Sequence, residues 1–252
     1  SGYRNKAQYA VGADKNGVKI GFYAERSHRI VNCKNCELQP KIFADILSVF
    51  EEFINKNGLS VYDELSGKGL LRNIYIRRAE KTEEIMVCAV INGDRLPNWE
   101  GLVENLKALL GDRLKTFVLN INKEKTNVVL GKKCLPVYGD GYITDVLCGV
   151  KVRLSALSFY QVNRTMAEKL YKKWVRDICD GQDVLTGHIQ YTAPYIRSGG
   201  GPGGWGCAIV IVPYQYYKQY GEVEMLQQCY EPMCRWIQYL LSRMDNGLVV
   251  RE

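Results

Sequence analysis

The sequence predicts an α+β front part followed by a mainly helical tail. Three observations carry this reading. Short strand pairs alternate with single amphipathic helices over residues 1–165, which implies a mixed or antiparallel sheet with covering helices. From about Met166 the apolar residues recur at helical spacing. The composition also shifts: residues 1–170 hold 26 Lys and Arg against 19 Asp and Glu, residues 171–252 hold eight of each, and nine of the 17 tyrosines fall in that last stretch.

The elements follow in order. Val18 to Ile30 reads as strand, turn, strand, with Gly21-Phe22-Tyr23 at its centre. Gln39-Pro40 opens a helix to about Lys56, because Ile42, Ile46, Val49, Phe50 and Phe53 recur at helical spacing and Asn57-Gly58 supplies a C-terminal cap. Gly69 to Arg78 and Glu84 to Ile91 form a hairpin around the polar Ala79–Glu83 turn. Trp99 to Leu110 is a second amphipathic helix, closed by Gly111. Leu114 to Asn122, Val128 to Leu130, Tyr142 to Leu147 and Val150 to Leu154 read as strands.

A helix from Met166 to Cys179 comes next, then a loop-rich stretch to Gly204 that contains a glycine-dense run at 198–204. Cys207 to Tyr220 and Glu222 to Met244 read as helices, with Pro232 breaking the second near Glu231. Ala208 to Val212 is apolar and β-branched enough to fit a strand as well. The implied domains are 1–165, a junction helix at 166–180 and a helical tail at 181–252.

Bulk properties exclude some classes. With 46% apolar residues the chain is globular in composition, not disordered. No apolar run reaches the roughly 18 residues of a membrane span, so no membrane partner is expected. Tyr3-Arg4-Asn5-Lys6 is not a signal-peptide pattern. Nine cysteines without framework spacing favour a reducing compartment, most simply a cytoplasmic location. Cys33-x-x-Cys36 is the closest pair, but zinc or an iron–sulfur cluster needs more ligands, so no metal is expected. The net charge of +7 sits wholly in the front part. That suits a polyanion such as RNA, and it also suits ordinary solvated surface.

Three constellations stand out. Ser66-Gly67-Lys68-Gly69-Leu70-Leu71-Arg72 is a glycine turn whose amides, with Lys68 and Arg72, suit a phosphate; a plain turn into a strand fits equally. Tyr23-x-x-Arg26-Ser27-His28-Arg29 suits RNA contact or a satisfied surface histidine. Ser158-Phe159-Tyr160-Gln161-Val162-Asn163 offers an amide and aromatics at a strand-to-helix turn, a chemistry that binds an adenosine-like group. Composition alone does not select it from other turns.

These segments occur together in a known order. Tyr3-Arg4-Asn5-Lys6, Gly21-Phe22-Tyr23, Arg26-Ser27-His28, Gly69-Leu70-Leu71-Arg72, Asn120-Ile121-Asn122, Leu130-Gly131 and Phe159-x-Gln161-Val162-Asn163 resemble the bacterial 23S rRNA (uracil-5-)-methyltransferases over residues 3–171. The resemblance implies an S-adenosylmethionine-dependent enzyme acting at C5 of uridine, most simply on rRNA. It implies that Gln161 contacts the cofactor, that Phe159 and Asn163 shape that turn, and that the segment before it helps hold folded RNA; the basic constellations read above supply Arg26, His28, Arg29, Lys68 and Arg72 as the candidates for that contact.

That chemistry needs more. C5 of uracil is a poor nucleophile until a cysteine thiolate adds to C6, and a base then removes the C5 proton. The family places both groups, and an Asp-Leu-Tyr-Cys-Gly-x-Gly cofactor loop, after the Gln-Val-Asn motif. Here Tyr171 is followed instead by Lys172-Lys173-Trp174-Val175-Arg176-Asp177. Asp145-Val146-Leu147-Cys148-Gly149 has a similar look but precedes Gln161 and matches a family strand.

The tail carries its own resemblance. Lys173-Trp174-Val175-Arg176-Asp177, Trp205-Gly206-x-Ala208, Ile211-Val212-Pro213-Tyr214, Tyr220-Gly221-Glu222, Met225-Leu226, Tyr230-x-x-Met233 and Trp236-x-x-Tyr239-Leu240 resemble the catalytic (α/α)6 barrel of bacterial α-L-rhamnosidases, glycoside hydrolase family 78. Such enzymes need an acid and a base on opposite faces of the sugar. The regions that carry them in the family have no counterpart in 171–252, and Cys207 stands where the family usually has Asp. Trp205 fits either a sugar pocket or a core.

The expected function is therefore a methyltransferase segment with RNA binding and a partial cofactor site, joined to an inactive rhamnosidase-like fragment. An RNA-binding module without catalysis and a glycoside hydrolase are the alternatives. A partial barrel would expose apolar faces, with Tyr216, Tyr217, Tyr220, Trp236 and Leu240 as candidates, so the tail is expected to pack on the front part, to self-associate or to be poorly ordered.

Overall fold

The computed structural model describes residues 2–15, 17–190, 192–193, 206–221 and 223–249. The chain divides into two units. One holds Ser1–Leu147 and Lys151–Arg164; the other holds Cys148–Val150 and Thr165–Glu252.

The first unit is α+β, built on one mixed seven-stranded sheet. Its strands are β1 (Lys6–Asp14), β2 (Gly17–Tyr23), β3 (Ile30–Asn32), β4 (Leu71–Arg78), β5 (Ile85–Ile91), β6 (Leu114–Ile121) and β7 (Lys133–Tyr138). Their order is β3-β2-β1-β4-β5-β6-β7, and only the β5–β6 pair is parallel. That parallel step is made by a crossover through helix α2 (Trp99–Leu110), whereas β4 and β5 are antiparallel neighbours joined by a short turn.

The two helices lie on one face. Helix α1 (Ile42–Asn57) buries Phe43, Ile46, Leu47, Phe50, Phe53 and Ile54, and α2 buries Leu102, Val103, Leu106 and Leu110. Each such side chain contributes about 1.5–3 kcal/mol by leaving water. They pack on Ile74 and Ile76 of β4, Ile85, Val87, Ala89 and Ile91 of β5, and Phe117 and Leu119 of β6. Gly58 ends α1 in the left-handed region at φ 56°, where a side chain would be strained.

The opposite face is covered too. Tyr75, Met86, Cys88, Val90 and Val118 form a second cluster with Ile143, Leu154, Ala156 and Tyr160. Ile143 and Leu154 come from a separate hairpin, β8 (Ile143–Leu147) and β9 (Val150–Leu154). Every residue of β5 is buried, as expected of a central strand with apolar neighbours on both faces.

Two strands depart from the sequence reading. Val128 to Leu130 is not a strand. The Asn122 side-chain amide donates to the carbonyls of Val128 (2.8 Å) and Val129 (3.1 Å), and Asn120 exchanges bonds with Gly131 at 2.8 and 2.7 Å. Side chains thus replace a backbone ladder there. The partner of β6 is β7, which carries Pro136 and sits at the sheet edge, where a missing N–H is tolerated. The sequence reading also lacked β1, whose alternation buries Ala7, Tyr9 and Val11.

The second unit is described by itself. It contains α3 (Arg164–Asp180) from Thr165 onward, α4 (Ala208–Tyr220), α5 (Glu224–Ser242) and a small hairpin of β10 (Met244–Asp245) with β11 (Leu248–Val249). Ala208–Val212 is helical, and α5 runs unbroken through Pro232, contrary to the expected break near Glu231. A buried Pro costs a helix about 3 kcal/mol. The apolar stripe of Cys229, Met233, Trp236 and Tyr239, packed on Val175, Ile178, Ile189 and Ile209, outweighs it. Trp236 is therefore core, 1% exposed, and not part of an unpartnered face as expected. Among the described residues no helix is long and apolar enough to cross a membrane.

The α1 packing gives a test. Phe50→Ala should lower the unfolding free energy of the first unit by about 3–5 kcal/mol, read by urea denaturation. A loss below about 1 kcal/mol would contradict the packing described.

Candidate functional site

The turn from Ser155 to Asn163 is held from below by buried polar groups. Arg77 of β4 is 1% exposed, and its guanidinium donates to the carbonyls of Ser155 (2.8 Å) and Ser158 (2.7 Å). Burial presses its pKa down, yet the charge stays and must find acceptors. Tyr160 points inward and donates its hydroxyl to Asp145 at 3.0 Å. Asp145, fully buried, also accepts the backbone amides of Glu80 (3.1 Å) and Lys81 (2.9 Å). The Asn5 side chain donates to the Gln161 carbonyl at 2.8 Å, and the Asn5 amide donates to Val162 at 2.8 Å. Arg164, buried at the start of α3, pairs with Glu80 at 3.4 Å.

This scaffold turns two of the three expected cofactor residues outward. Phe159 is 82% exposed and Gln161 is exposed, while Asn163 is half-buried. An exposed ring beside amide groups is a donor set that fits stacking and hydrogen bonding to an adenosine-like group. The hairpin at Asp145–Gly149 has a tight turn with Cys148 and Gly149 both at positive φ, which agrees with its reading as strand and turn.

The basic residues divide. His28, Tyr62, Glu64, Arg72, Lys125 and Asn127 line one cavity of about 280 Å³. Within it Glu64 accepts a hydrogen bond from Tyr23 (2.9 Å) and bonds the His28 ring, whose edge meets Tyr23. Burial, then the bond to Glu64, pushes the Tyr23 hydroxyl pKa up, so Tyr23 stays protonated as a donor.

Arg72 departs from the expected phosphate role. Its side chain is buried, stacks 4.2 Å over the Tyr62 ring, and donates to the carbonyls of Asn122, Glu124 and Thr126 at 2.8, 2.8 and 3.3 Å. Its donors shape the 122–126 loop instead of facing solvent. Lys68 is exposed, and Gly69 before the strand has φ 102°, with a Cβ there falling 2.0 Å from the Val61 carbonyl oxygen. Arg26 and Arg29 are exposed, and Arg26 pairs with Glu25 at 3.6 Å, a surface contact of little energy. Trp205 lies outside the described residues, as does the whole glycine-dense run at 198–204. Among the described residues no group of three or more His, Cys, Asp or Glu side chains is placed to hold a metal.

The sequence reading missed Arg77, Asn5 and Asp145 as supports, and Tyr62, Glu64 and Lys125 as cavity walls. Buried polar types inside strand patterns, Arg77 and Asp145, were the available signal.

Comparison with known proteins now adds a class. Two thirds of the chain is similar to RNA methyltransferases, and its end is similar to a glycosidase domain. An uncharacterised RNA methyltransferase of Clostridium tetani is 40% identical over 171 residues, 68% of this chain and 37% of that protein. One of Caldanaerobacter subterraneus is 41% identical over 171 residues, 38% of its length. This chain therefore spans under two fifths of the length of these relatives. The crystal structure of Pyrococcus abyssi tRNA (uracil-54, C5)-methyltransferase in complex with S-adenosyl-L-homocysteine matches with a TM-score of 0.57 and 25% identity, covering 70% of this chain and 40% of that one. Residues 153–252 match the bacterial alpha-L-rhamnosidase 6 hairpin glycosidase domain. That match starts before the expected junction at 171 and takes in the Gln161 turn.

The hold of Arg77 on the turn can be tested by substitution. Arg77→Leu should cost about 2–4 kcal/mol and speed amide exchange at residues 155–163 more than in α1. Unchanged exchange in the turn would mean that Arg77 does not hold it.

Proposed function

We propose that the front part, residues 1–165, is the RNA-holding segment of an RNA (uracil-5-)-methyltransferase with a partial S-adenosylmethionine site at Gln161, Phe159 and Asn163. The observation that carries this is the Gln161 turn, bonded by Arg77 and Asn5 into the same unit whose sequence resembles that family. Those bonds also favour assigning residues 153–165 to the methyltransferase part, although the rhamnosidase match begins at 153. The cofactor, when bound, supplies an electrophilic methyl group. Gln161 and Asn163 would hold it by hydrogen bonds from their side-chain amides and Phe159 by ring stacking; Arg26, His28, Arg29 and Lys68 would meet RNA phosphate or base, most simply in rRNA.

We further propose that residues 166–180 are a junction helix and that residues 181–252 are a rhamnosidase-like fragment of an (α/α)6 barrel, without activity of their own. Trp205 is its candidate sugar contact. On this reading residues 1–252 bind RNA and do not by themselves complete methyl transfer, because the thiolate and base that the reaction needs have no counterpart among residues 171–252 in the order the family uses. The tail exposes Ile211, Tyr214 and Tyr217 on α4 and Tyr230, Ile237 and Leu241 on α5, which supports self-association.

Incubation with labelled S-adenosylmethionine and unmodified 23S rRNA tests the reading. The expected result is no label in uridine, together with rRNA binding that weakens steeply with salt. Lys68→Ala with Arg29→Ala should reduce the negative log–log salt slope by about 1–2. Methyl transfer would overturn the claim of inactivity; salt-independent binding would overturn the RNA-holding role. Hydrolysis of an aryl α-L-rhamnoside, which is not expected, would assign the tail a glycosidase activity.

A further inference from the structure

The tail core contains a feature that neither resemblance uses. Cys179, near the end of α3, and Cys229, in α5, place their sulfurs 3.6 Å apart across 50 residues of sequence. Cys229 is 2% exposed, whereas Cys179 is half-buried. Both line a cavity of about 380 Å³, with Arg176, Met225 and Gln228 among its walls, so a small molecule has a route to the sulfurs. The surrounding backbone is clamped. Buried Gln182 donates to the carbonyls of Gly187 (2.9 Å) and Pro232 (3.0 Å) and accepts from Arg235 at 3.0 Å, tying the end of α3 to α5.

We propose that Cys179 and Cys229 are a reversible thiol–disulfide site, in which Cys179 is oxidised first and Cys229 resolves it. An S–S bond of about 2.05 Å requires the sulfurs to close by about 1.5 Å, within reach of side-chain rotation while the clamped backbone stays in place. The two thiols have different characters. The bond from the Cys229 thiol, aided by the Arg235 charge, holds the Cys179 thiol below its ordinary value. The same bond, then burial, pushes the Cys229 thiol up. Cys179 is also the more accessible of the two, half-buried where Cys229 is 2% exposed, and is thus the nucleophile, since an accessible thiolate is the reactive form.

The oxidant is hydrogen peroxide. The Cys179 thiolate attacks one peroxide oxygen, the O–O bond breaks, and hydroxide leaves with a sulfenic acid on sulfur. The Cys229 sulfur then attacks the Cys179 sulfur, its proton goes to the departing oxygen, and water leaves. Two thiols lose two electrons in total, and one peroxide becomes two waters. A thiol reductant reverses the bond by exchange.

The test uses the full chain, reduced and then treated with one equivalent of hydrogen peroxide. Non-reducing digestion and mass spectrometry should recover the Cys179 peptide linked to the Cys229 peptide. The pair should be lighter by about 2 Da than its two free peptides, and dithiothreitol should separate it. In Cys229→Ser the Cys179 peptide should instead carry added oxygen. Recovery of oxygenated Cys179 beside unmodified Cys229 in the unsubstituted chain would overturn the proposal. If Cys229→Ser does not fold, alkylation of the native chain decides: N-ethylmaleimide should label Cys179 at least about tenfold faster than Cys229. Equal rates, or Cys229 first, would overturn it.

Discussion

The guanidinium of Arg77 is the constraint on which the candidate site depends. It sits on a central strand, 1% exposed, on the face that also carries Tyr75, Met86 and Cys88. A charge there cannot remain unbonded, because desolvation without partners costs several kcal/mol. The chain answers with the carbonyls of Ser155 and Ser158. Those carbonyls must face inward, and the side chains between and beyond them sort accordingly. Tyr160 faces the core and Phe159 faces out. The exposure of Gln161 and Phe159 thus follows from a burial requirement some eighty residues earlier in sequence.

The first unit uses the same device twice. Arg72, on the same strand, is buried and bonded to the carbonyls of Asn122, Glu124 and Thr126. Neither arginine faces a carboxylate in these bonds; both are capped by main-chain oxygens. A planar fork with five donors suits this use, since one side chain can gather several carbonyls of a loop that has no strand partner. Loops that would otherwise be mobile become platforms. One platform displays Lys125 and Asn127 at the cavity shared with His28 and Glu64. The other displays the Gln161 turn.

Local pattern made much of this fold legible. The amphipathic periods of α1 and α2, with Gly58 and Gly111 at their ends, appear where apolar spacing put them. The β4–β5 hairpin follows from two apolar runs around a polar turn. What escaped was set by distant parts of the chain. Strand β7 contains Pro136 and begins at the second lysine of Lys132-Lys133, so it reads as loop until an edge position beside β6 is known. Val128 to Leu130 looks like a strand, but its carbonyls go to asparagine side chains. Arg72 illustrates the limit most directly. A phosphate-binding arginine and a loop-binding arginine offer the same donors in the same glycine-rich setting, and only burial separates them. Trp236 failed for the same reason, since an aromatic on an amphipathic helix faces either a core or a partner.

The junction between the two resemblances becomes intelligible in the same terms. Helix α3 needs only an apolar stripe at the right period to remain a helix, whatever lies at its ends. Its first residue, Arg164, is buried and paired with Glu80 in the first unit. Its later residues Val175 and Ile178 are buried among the helices of the second unit. Each end therefore answers to a different core, and the residues between, Leu170 and Tyr171, are exposed and bound by neither requirement. A change of family likeness within such a segment is compatible with both cores. The glycosidase-domain match begins at residue 153, yet Arg77 and Asn5 bond the Gln161 turn into the first unit, so the likeness and the hydrogen bonds divide the chain at different places.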